Sequence, residues 1–177
     1  MRHLKVITLC SMGIVALAGC QKAADGEVSR AFKNVNVVDE SNLSDIMLTV
    51  ADPNEAVSYF KRSVSENPDR VDLQRGLAQS LIRAKRPTEA LPVYAKLLES
   101  KDATNEDRVN YASALIRADQ WKKAEETLNT IPPTHETFKR YRLEAMGADS
   151  KKQWKKADSF YETAVGLTTK PPGVLNN

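Results

Sequence analysis

The segment Leu81-Ile82-Arg83-Ala84 returns further along the chain as Leu115-Ile116-Arg117-Ala118. The same interval separates Ala56, Ala90 and Ala124, and Ala157 follows at an interval one position shorter. Four residues after each alanine comes a large apolar side chain: Phe60, Tyr94, Leu128 and Tyr161. A sustained period of about 34 residues indicates a repeat protein, in which each repeat is one supersecondary unit stacked on its neighbours.

Each period divides into two helical stretches. In the second repeat, small or apolar residues recur every three or four positions from Val71 to Ala84 and again from Ala90 to Leu98. This spacing is typical of amphipathic helices, and Arg86-Pro87-Thr88 interrupts it. The sequence therefore predicts helical hairpins, with the recurrent alanines and the tryptophans Trp121 and Trp154 in the core.

Local signals place the helix ends. Asp52 followed by Pro53 is the pattern of an N-cap before a proline in the first helical turn. Asn67-Pro68 indicates a helix end. Two segments have the spacing of a capping box, Thr104 to Asp107 and Ser150 to Gln153. We therefore expect helices to begin just after Asp52, Thr104 and Ser150.

The period, the small residue at the helix contact and the bulky residue four positions later resemble the tetratricopeptide repeat over about residues 37–170. The resemblance implies an all-α fold, an antiparallel helix-pair solenoid. About four repeats would form a right-handed superhelix within a domain at residues 41–170. Residues 171–177 fall where a fifth repeat should begin, so we expect a tail or the start of a truncated fifth repeat.

The first twenty residues have the pattern of a secretory signal. Met1-Arg2-His3-Leu4-Lys5 carries the positive charge, and the apolar run 6–18 is shorter than the roughly 20 residues a membrane-spanning helix needs. Leu17-Ala18-Gly19-Cys20 resembles the lipobox of bacterial lipoproteins. The resemblance implies a signal peptide at residues 1–19, acyl chains such as palmitate on Cys20, and a lipidated tether at residues 20–40. The alternative is an ordinary cleaved signal in which Cys20 is incidental.

A lipobox, a short tether and several such repeats together resemble the TadD lipoproteins of Tad (tight adherence) pilus assembly. That resemblance implies a membrane-anchored scaffold that helps an outer-membrane secretin assemble or localise, as pilotins do. By the sorting rule of enterobacterial lipoproteins, which the resemblance brings with it, Gln21 rather than Asp after the cysteine implies the periplasmic face of the outer membrane. Two alternatives share the architecture: a scaffold for β-barrel assembly and a scaffold for peptidoglycan-remodelling enzymes. A third alternative, from another class of function, is a cell-wall hydrolase.

Superhelices of this family bind partners through the concave face, which the first helix of each repeat lines. The repeat register places twelve residues there: Asp72, Arg75, Gln79, Ile82, Arg83, Val109, Ser113, Ile116, Arg117, Lys139, Arg142 and Met146. Arginines beside apolar residues suit an extended peptide with acidic groups or a free carboxylate. The alternative for any one of these residues is a solvated, charged surface position.

Charge and composition argue against other classes of function. The formal net charge is +3, and without Arg2 and Lys5 of the signal it falls to +1, unlike a nucleic-acid-binding chain. The two cysteines, Cys10 and Cys20, lie in the first twenty residues, so neither a disulfide framework nor a thiolate metal site is expected. The sequence has no recognisable nucleophile-and-base pair or phosphate loop. We expect a chain that is not an enzyme, with no metal, no small-molecule substrate and no cofactor besides the lipid.

Overall fold

The computed structural model describes residues 42–169, and helices joined by turns make up this part of the chain. The helices are α1 (residues 42–49), α2 (Pro53–Glu66), α3 (Val71–Arg83), α4 (Pro87–Leu98), α5 (Asn105–Arg117), α6 (Trp121–Asn129), α7 (Phe138–Ser150) and α8 (Trp154–Thr169). The all-α prediction is confirmed. The predicted signal peptide, Cys20, the tether and the tail lie outside the described residues.

Helices that follow one another in sequence pack against one another. Contacts join α3 to α4, α5 to α6 and α7 to α8 within hairpins, and α2 to α3, α4 to α5 and α6 to α7 between them. The first helices of two neighbouring repeats, α5 and α7, also touch. This arrangement is the predicted helix-pair solenoid, and all the helices from α2 to α8 belong to one compact unit.

The recurrent alanines lie at the closest helix contacts. Ala56, Ala90, Ala124 and Ala157 are each at most 1% exposed. The large side chains that follow three of them, Phe60, Tyr94 and Leu128, are also buried. A methyl group at the crossing lets two helix axes approach, and the bulky residue one turn later fills the space beside it at crystal-like density. Burial of a side chain such as Phe60 contributes roughly 1.5–3 kcal/mol.

The predicted caps at Asp52 and Thr104 are confirmed. The Asp52 carboxylate accepts the Asn54 amide at 2.8 Å. Thr104 and Asp107 form a reciprocal capping box, in which each backbone amide donates to the other's side chain, at 2.8 and 3.2 Å. The predicted cap at Ser150 is wrong. Ser150 is the last residue of α7 and its hydroxyl donates to the Gly147 carbonyl at 2.7 Å, so it closes one helix instead of opening the next.

The turns inside repeats two to four share a backbone conformation that glycine usually adopts. Lys85, Asp119 and Lys152 have φ of 58°, 59° and 59°, at equivalent repeat positions. The next amide in each turn bonds back to the preceding helix, as when Arg86 N donates to Leu81 O at 2.9 Å. This closure is a Schellman motif. A side chain in the left-handed region costs about 1 kcal/mol relative to glycine.

The prediction that Trp154 is a core residue is wrong. Its side chain is 59% exposed, whereas its equivalent one repeat earlier, Trp121, is half-buried and packs against the cluster that contains Leu143 of α7. The difference follows from stacking. Trp121 is covered by the repeat that comes after it, and no described helix follows α8 to cover Trp154.

We expect Gly76→Ala to destabilise the fold. A Cβ at Gly76 would lie 2.3 Å from Phe60 Cε1, inside the buried contact between α2 and α3. Overpacking of this kind costs typically about 1–3 kcal/mol. The matched control is Gly147→Ala in α7, where a Cβ meets nothing within 4 Å. Because alanine is the better helix former, that variant should gain roughly 0.5–1 kcal/mol. Urea unfolding followed by circular dichroism measures both, and equal stabilities would contradict the Phe60–Gly76 contact.

Candidate functional site: the groove of the first helices

The first helices of repeats two to four lie on one face of the solenoid and line a groove of about 450 Å³. Its lining comes from α3, α4, α5 and α7: Gln79, Ile82, Arg83, Tyr94, Glu106, Asn110, Ser113, Arg117 and Lys139. Six residues predicted for the partner-binding face are brought together here: Gln79, Ile82, Arg83, Ser113, Arg117 and Lys139. The concave face predicted from the repeat register therefore exists as a groove.

The floor of the groove is apolar. Ile82 is half-buried, and Tyr94 reaches in from the second helix of its repeat while remaining 3% exposed. The Tyr94 ring lies 6.0 Å from that of Tyr111, centroid to centroid. Burial, reinforced by the charges of Asp107 and Glu106, raises the pKa of Tyr94. The phenol therefore stays neutral at every physiological pH.

Arg117 is the open cation of the groove. It lies in the last turn of α5, its side chain is exposed, and it makes no hydrogen bond or ion pair with any residue that the structure describes. Ser113, one turn earlier on the same helix, is half-buried. A guanidinium presents five donors in a planar fork that matches a carboxylate. This position is consequently available for an acidic group of a partner.

The charges at the α7 side of the groove are already paired. Lys139 Nζ lies 3.5 Å from Glu106 Oε1 and donates a hydrogen bond to Asn110 Oδ1. His135 Nε2 lies 3.8 Å from the other oxygen of Glu106. Lys139 is therefore compensated, and the uncompensated positive charge of the groove lies at Arg117.

Arg83 lines the groove, but its donors are turned to the chain itself. Nη1 donates to Met47 O and Nη2 to Ala51 O, both at 3.0 Å. These carbonyls belong to the C-terminal end of α1 and the turn that follows, where helix carbonyls lack intrahelical partners. Arg83 therefore has a structural role in addition to lining the groove, and its contact with a partner stays a prediction. It ties α1 to α3.

Arg75 is also a structural residue and does not line the groove. Its Nε and Nη2 donate to the two oxygens of Asp107 at 2.8 and 2.9 Å, and Nη2 also donates to Asp102 O at 2.7 Å. Burial acts to raise the pKa of Asp107, but the bonds from Arg75 and Thr104 outweigh it and hold that pKa below its usual range. Arg75 thus connects α3 to the start of α5 through a bidentate pair.

Five other predicted residues do not line the groove. Val109 and Ile116 are buried in the second core cluster, and Met146 packs against that cluster. Arg142 and Asp72 are exposed, but they lie outside the groove, and Asp72 pairs with Arg70. These residues lie outside the groove because a helix turns about 100° per residue. Residues next to a groove position in sequence therefore point into the contact between helices or to another side of the helix.

Three residues of the lining were missed: Tyr94, Glu106 and Asn110. The sequence could have predicted Glu106 as a groove residue. It occupies the repeat position that Asp72 holds one repeat earlier and Lys139 one repeat later, and both of those were predicted. Asn110 occupies the position of Gly76, which points into the core of the previous repeat. Tyr94 was assigned to the core alone, and it serves both the core and the groove floor.

The described residues contain no group of three or more His, Cys, Asp or Glu side chains that could hold a metal ion. Within the same part of the chain, no helix has the length and apolarity to cross a bilayer.

We expect Arg75→Ala to lower the free energy of unfolding by about 2–3 kcal/mol, because the Asp107 side chain is 3% exposed and would lose its guanidinium. Arg142→Ala, at an exposed arginine, should stay within about 0.5 kcal/mol of wild type. The folded pKa of Asp107 is depressed, so the contribution of the pair is present above the unfolded pKa near 4 and is lost as the pH falls through the folded value.

Urea unfolding at neutral pH and at several values below pH 4 should therefore show the Arg75→Ala deficit shrinking on acidification. A deficit that is independent of pH would mean that packing of the arginine, and not its ion pair, stabilises the fold.

The comparison with protein families identifies the repeat. A family model described as tetratricopeptide repeat matches residues 48–107 and again residues 81–146. Together the two matches span residues 48–146, more than half of the chain. Each match covers nearly two periods of the recurrent alanines, as expected if the family's repeat and the period of this sequence are the same unit.

Solved structures with the same fold include several forms of MamA. The structure named "MamA RS-1 ArsTM double mutant" aligns with a TM-score of 0.64 at 17% identity, over 72% of this chain and 72% of the other. "MamA AMB-1 C2221" aligns with a TM-score of 0.59 at 14% identity, over 78% of this chain and 95% of the other. "MamA MSR-1 C2" aligns with a TM-score of 0.57 at 16% identity, over 66% of this chain and 67% of the other. At these identities the similarity shows a shared fold. A search of the curated proteins found no significant match.

Proposed function

The chain belongs to the tetratricopeptide-repeat family, and from this premise we propose that its groove binds an extended segment of another protein. Repeats of this family are protein-interaction scaffolds. The observation that carries the proposal is the open Arg117 guanidinium beside an apolar floor of Ile82 and Tyr94. A cation without a described partner beside half-buried Ile82, in a groove lined by polar side chains, suits recognition of an extended peptide with an acidic group.

The groove chemistry specifies the bound segment. The floor takes an apolar side chain, while the amides of Gln79 and Asn110 and the hydroxyl of Ser113 can bond to an extended backbone. Arg117 takes an acidic side chain or a terminal carboxylate, in the fork geometry that Arg75 already shows with Asp107. Arg83 and Arg75 hold the first helices in place and so preorganise the groove.

We further propose that Cys20 carries the lipid anchor and that the protein lies at the periplasmic face of the outer membrane. The lipobox-like residues 17–20 after a charged and apolar leader support the anchor, and Gln21 supports the outer membrane. Stable attachment needs more than one acyl chain, because a single chain binds only marginally at about 0.8 kcal/mol per buried CH₂. The lipidated cysteine of a bacterial lipoprotein meets that requirement.

On the same resemblance, we propose that the partner belongs to a secretin or pilus secretion complex, whose assembly or localisation the protein assists. The support is the combination of a lipobox, a short tether and an array of repeats, which the TadD lipoproteins share. A groove that takes an extended acidic segment is compatible with this role because secretin subunits must be held before they assemble.

Arg117→Glu should abolish partner capture. In crosslinking pull-downs from membranes with the full lipidated chain, we expect at least about a tenfold loss, since a charge-assisted hydrogen bond is worth about 1.5–3 kcal/mol. Arg142→Glu is the matched control. It makes the same charge change on an exposed arginine outside the groove, and it should capture the partner as the wild type does. If the wild type and both variants captured the partner equally, the groove proposal would be wrong. If both variants lost capture equally, net charge and not the groove would explain binding.

Cys20→Ala should move the protein from the membrane fraction to the soluble periplasmic fraction without changing its circular dichroism spectrum. Mass spectrometry of the wild-type chain should show an acylated cysteine, and globomycin should cause the precursor to accumulate. An unmodified thiol at Cys20 would overturn the anchor while leaving the groove proposal intact.

A further inference from the structure

Residues 151–156 place an exposed tryptophan among four lysines, in the order Lys-Lys-Gln-Trp-Lys-Lys. All six side chains are exposed, and Trp154 keeps 59% of its surface in contact with solvent. The last five of them line a shallow, open depression on the surface. An exposed indole loses the benefit of burial, so a surface that covered Trp154 would gain from burying its ring.

The lysines are largely uncompensated. Lys152 and Lys155 make no ion pair with any described residue, and Lys156 lies over the ring of Phe160 with its ammonium 5.7 Å from the centroid. Lys151 is the exception, because it pairs with Glu125 of α6. No carboxylate occurs between residues 151 and 157. The positive charge of this segment is therefore directed to solvent.

The basic character continues along one edge of the solenoid. In antiparallel hairpins, every turn from a first to a second helix lies at the same edge, and in repeats two and three these turns contribute Lys85, Arg86, Lys122 and Lys123. Arg86 and Lys122 are paired with Glu89 and Glu126, so the charge is weaker there. We call the segment 151–156 the Trp154 edge, since the exposed indole and most of the free charge lie in it.

We propose that the Trp154 edge docks on the surface of an anionic lipid bilayer. An indole prefers the interface between headgroups and acyl chains, where its ring is buried and its N–H stays hydrated. Lysines on both sides reach lipid phosphates with flexible stems and are attracted by the negative surface potential. The surface is open and shallow, which suits a flat bilayer, whereas an acidic peptide needs a groove such as the one at Arg117.

This contact goes beyond the proposed function of the groove and does not depend on it. If Cys20 is acylated, the edge forms a second membrane contact on an already tethered chain, where the effective concentration of the bilayer is high. Docking by this edge would fix the orientation of the repeats relative to the membrane and leave α3, α5 and α7 to present their groove.

The chain has two tryptophans, so fluorescence can report on each separately. The full chain carrying Cys20→Ser, to exclude acyl chains, is made with Trp121→Phe, which leaves Trp154, or with Trp154→Phe, which leaves Trp121. Vesicles of phosphatidylcholine with phosphatidylglycerol should shift the emission of Trp154 to the blue, and brominated acyl chains should quench it. Trp121, which is half-buried between repeats, should respond to neither. Vesicles of phosphatidylcholine alone should leave the emission of both tryptophans unchanged.

Paired charge variants test the lysines. Lys152→Gln with Lys155→Gln should weaken binding to the anionic vesicles at least about tenfold, because each lysine near such a surface contributes a factor of roughly five. The matched control removes two exposed lysines elsewhere, Lys96→Gln with Lys101→Gln, and should change binding less than about twofold.

Three results would overturn the proposal. The first is an unshifted Trp154 on anionic vesicles. The second is an equal effect of the two lysine pairs, which would indicate general attraction. The third is a blue shift that rises with protein concentration in the absence of vesicles, because it would show that another copy of the chain covers Trp154.

Discussion

The close approach of helices at the recurrent alanines is the constraint on which the rest of the structure depends. Each alanine is at most 1% exposed, and a bulky residue four positions on fills the adjoining space. Gly76 shows how little room remains, since an added Cβ would lie 2.3 Å from the Phe60 ring. Because a hairpin cannot bury its apolar face alone, tight contacts repeated once in every period bring successive first helices to one face. The groove is a consequence of that stacking.

The arginines of the first helices divide into two roles, one that ties helices together and one that faces the groove. Arg83 donates to the carbonyls of Met47 and Ala51 in the preceding repeat. Arg117 occupies the same repeat position, and the corresponding carbonyls are those of Leu81 and Lys85. Leu81 O already accepts the Arg86 amide at 2.9 Å, through the Schellman closure that Lys85 makes in the left-handed conformation. At the position of Arg117, one of the two corresponding carbonyls is therefore already engaged in a hydrogen bond.

Local and periodic features could be predicted from the sequence, and long-range pairs could not. The spacing of Ala56, Ala90, Ala124 and Ala157 predicted the repeats, their core and the face that forms the groove. The Arg75–Asp107 pair joins residues 32 positions apart, and no periodicity tells whether an arginine on that face meets a carboxylate or solvent. The exposure of Trp154 depends on whether a helix covers it, a property of the neighbour and not of its own repeat position.

The formal net charge of +3 conceals two kinds of positive site, and their surroundings determine how each responds to salt. Arg117 is exposed at the border of Ile82 and Tyr94, and a carboxylate bound there would be held by direct, short-range hydrogen bonds to its guanidinium. Lys152 and Lys155 of the Trp154 edge are exposed and make no ion pair with a described residue, so their attraction to an anionic surface acts over about a Debye length of 8 Å at physiological ionic strength. The two proposed contacts, one by short-range geometry at Arg117 and one by a screened field at the Trp154 edge, involve different residues and need not compete.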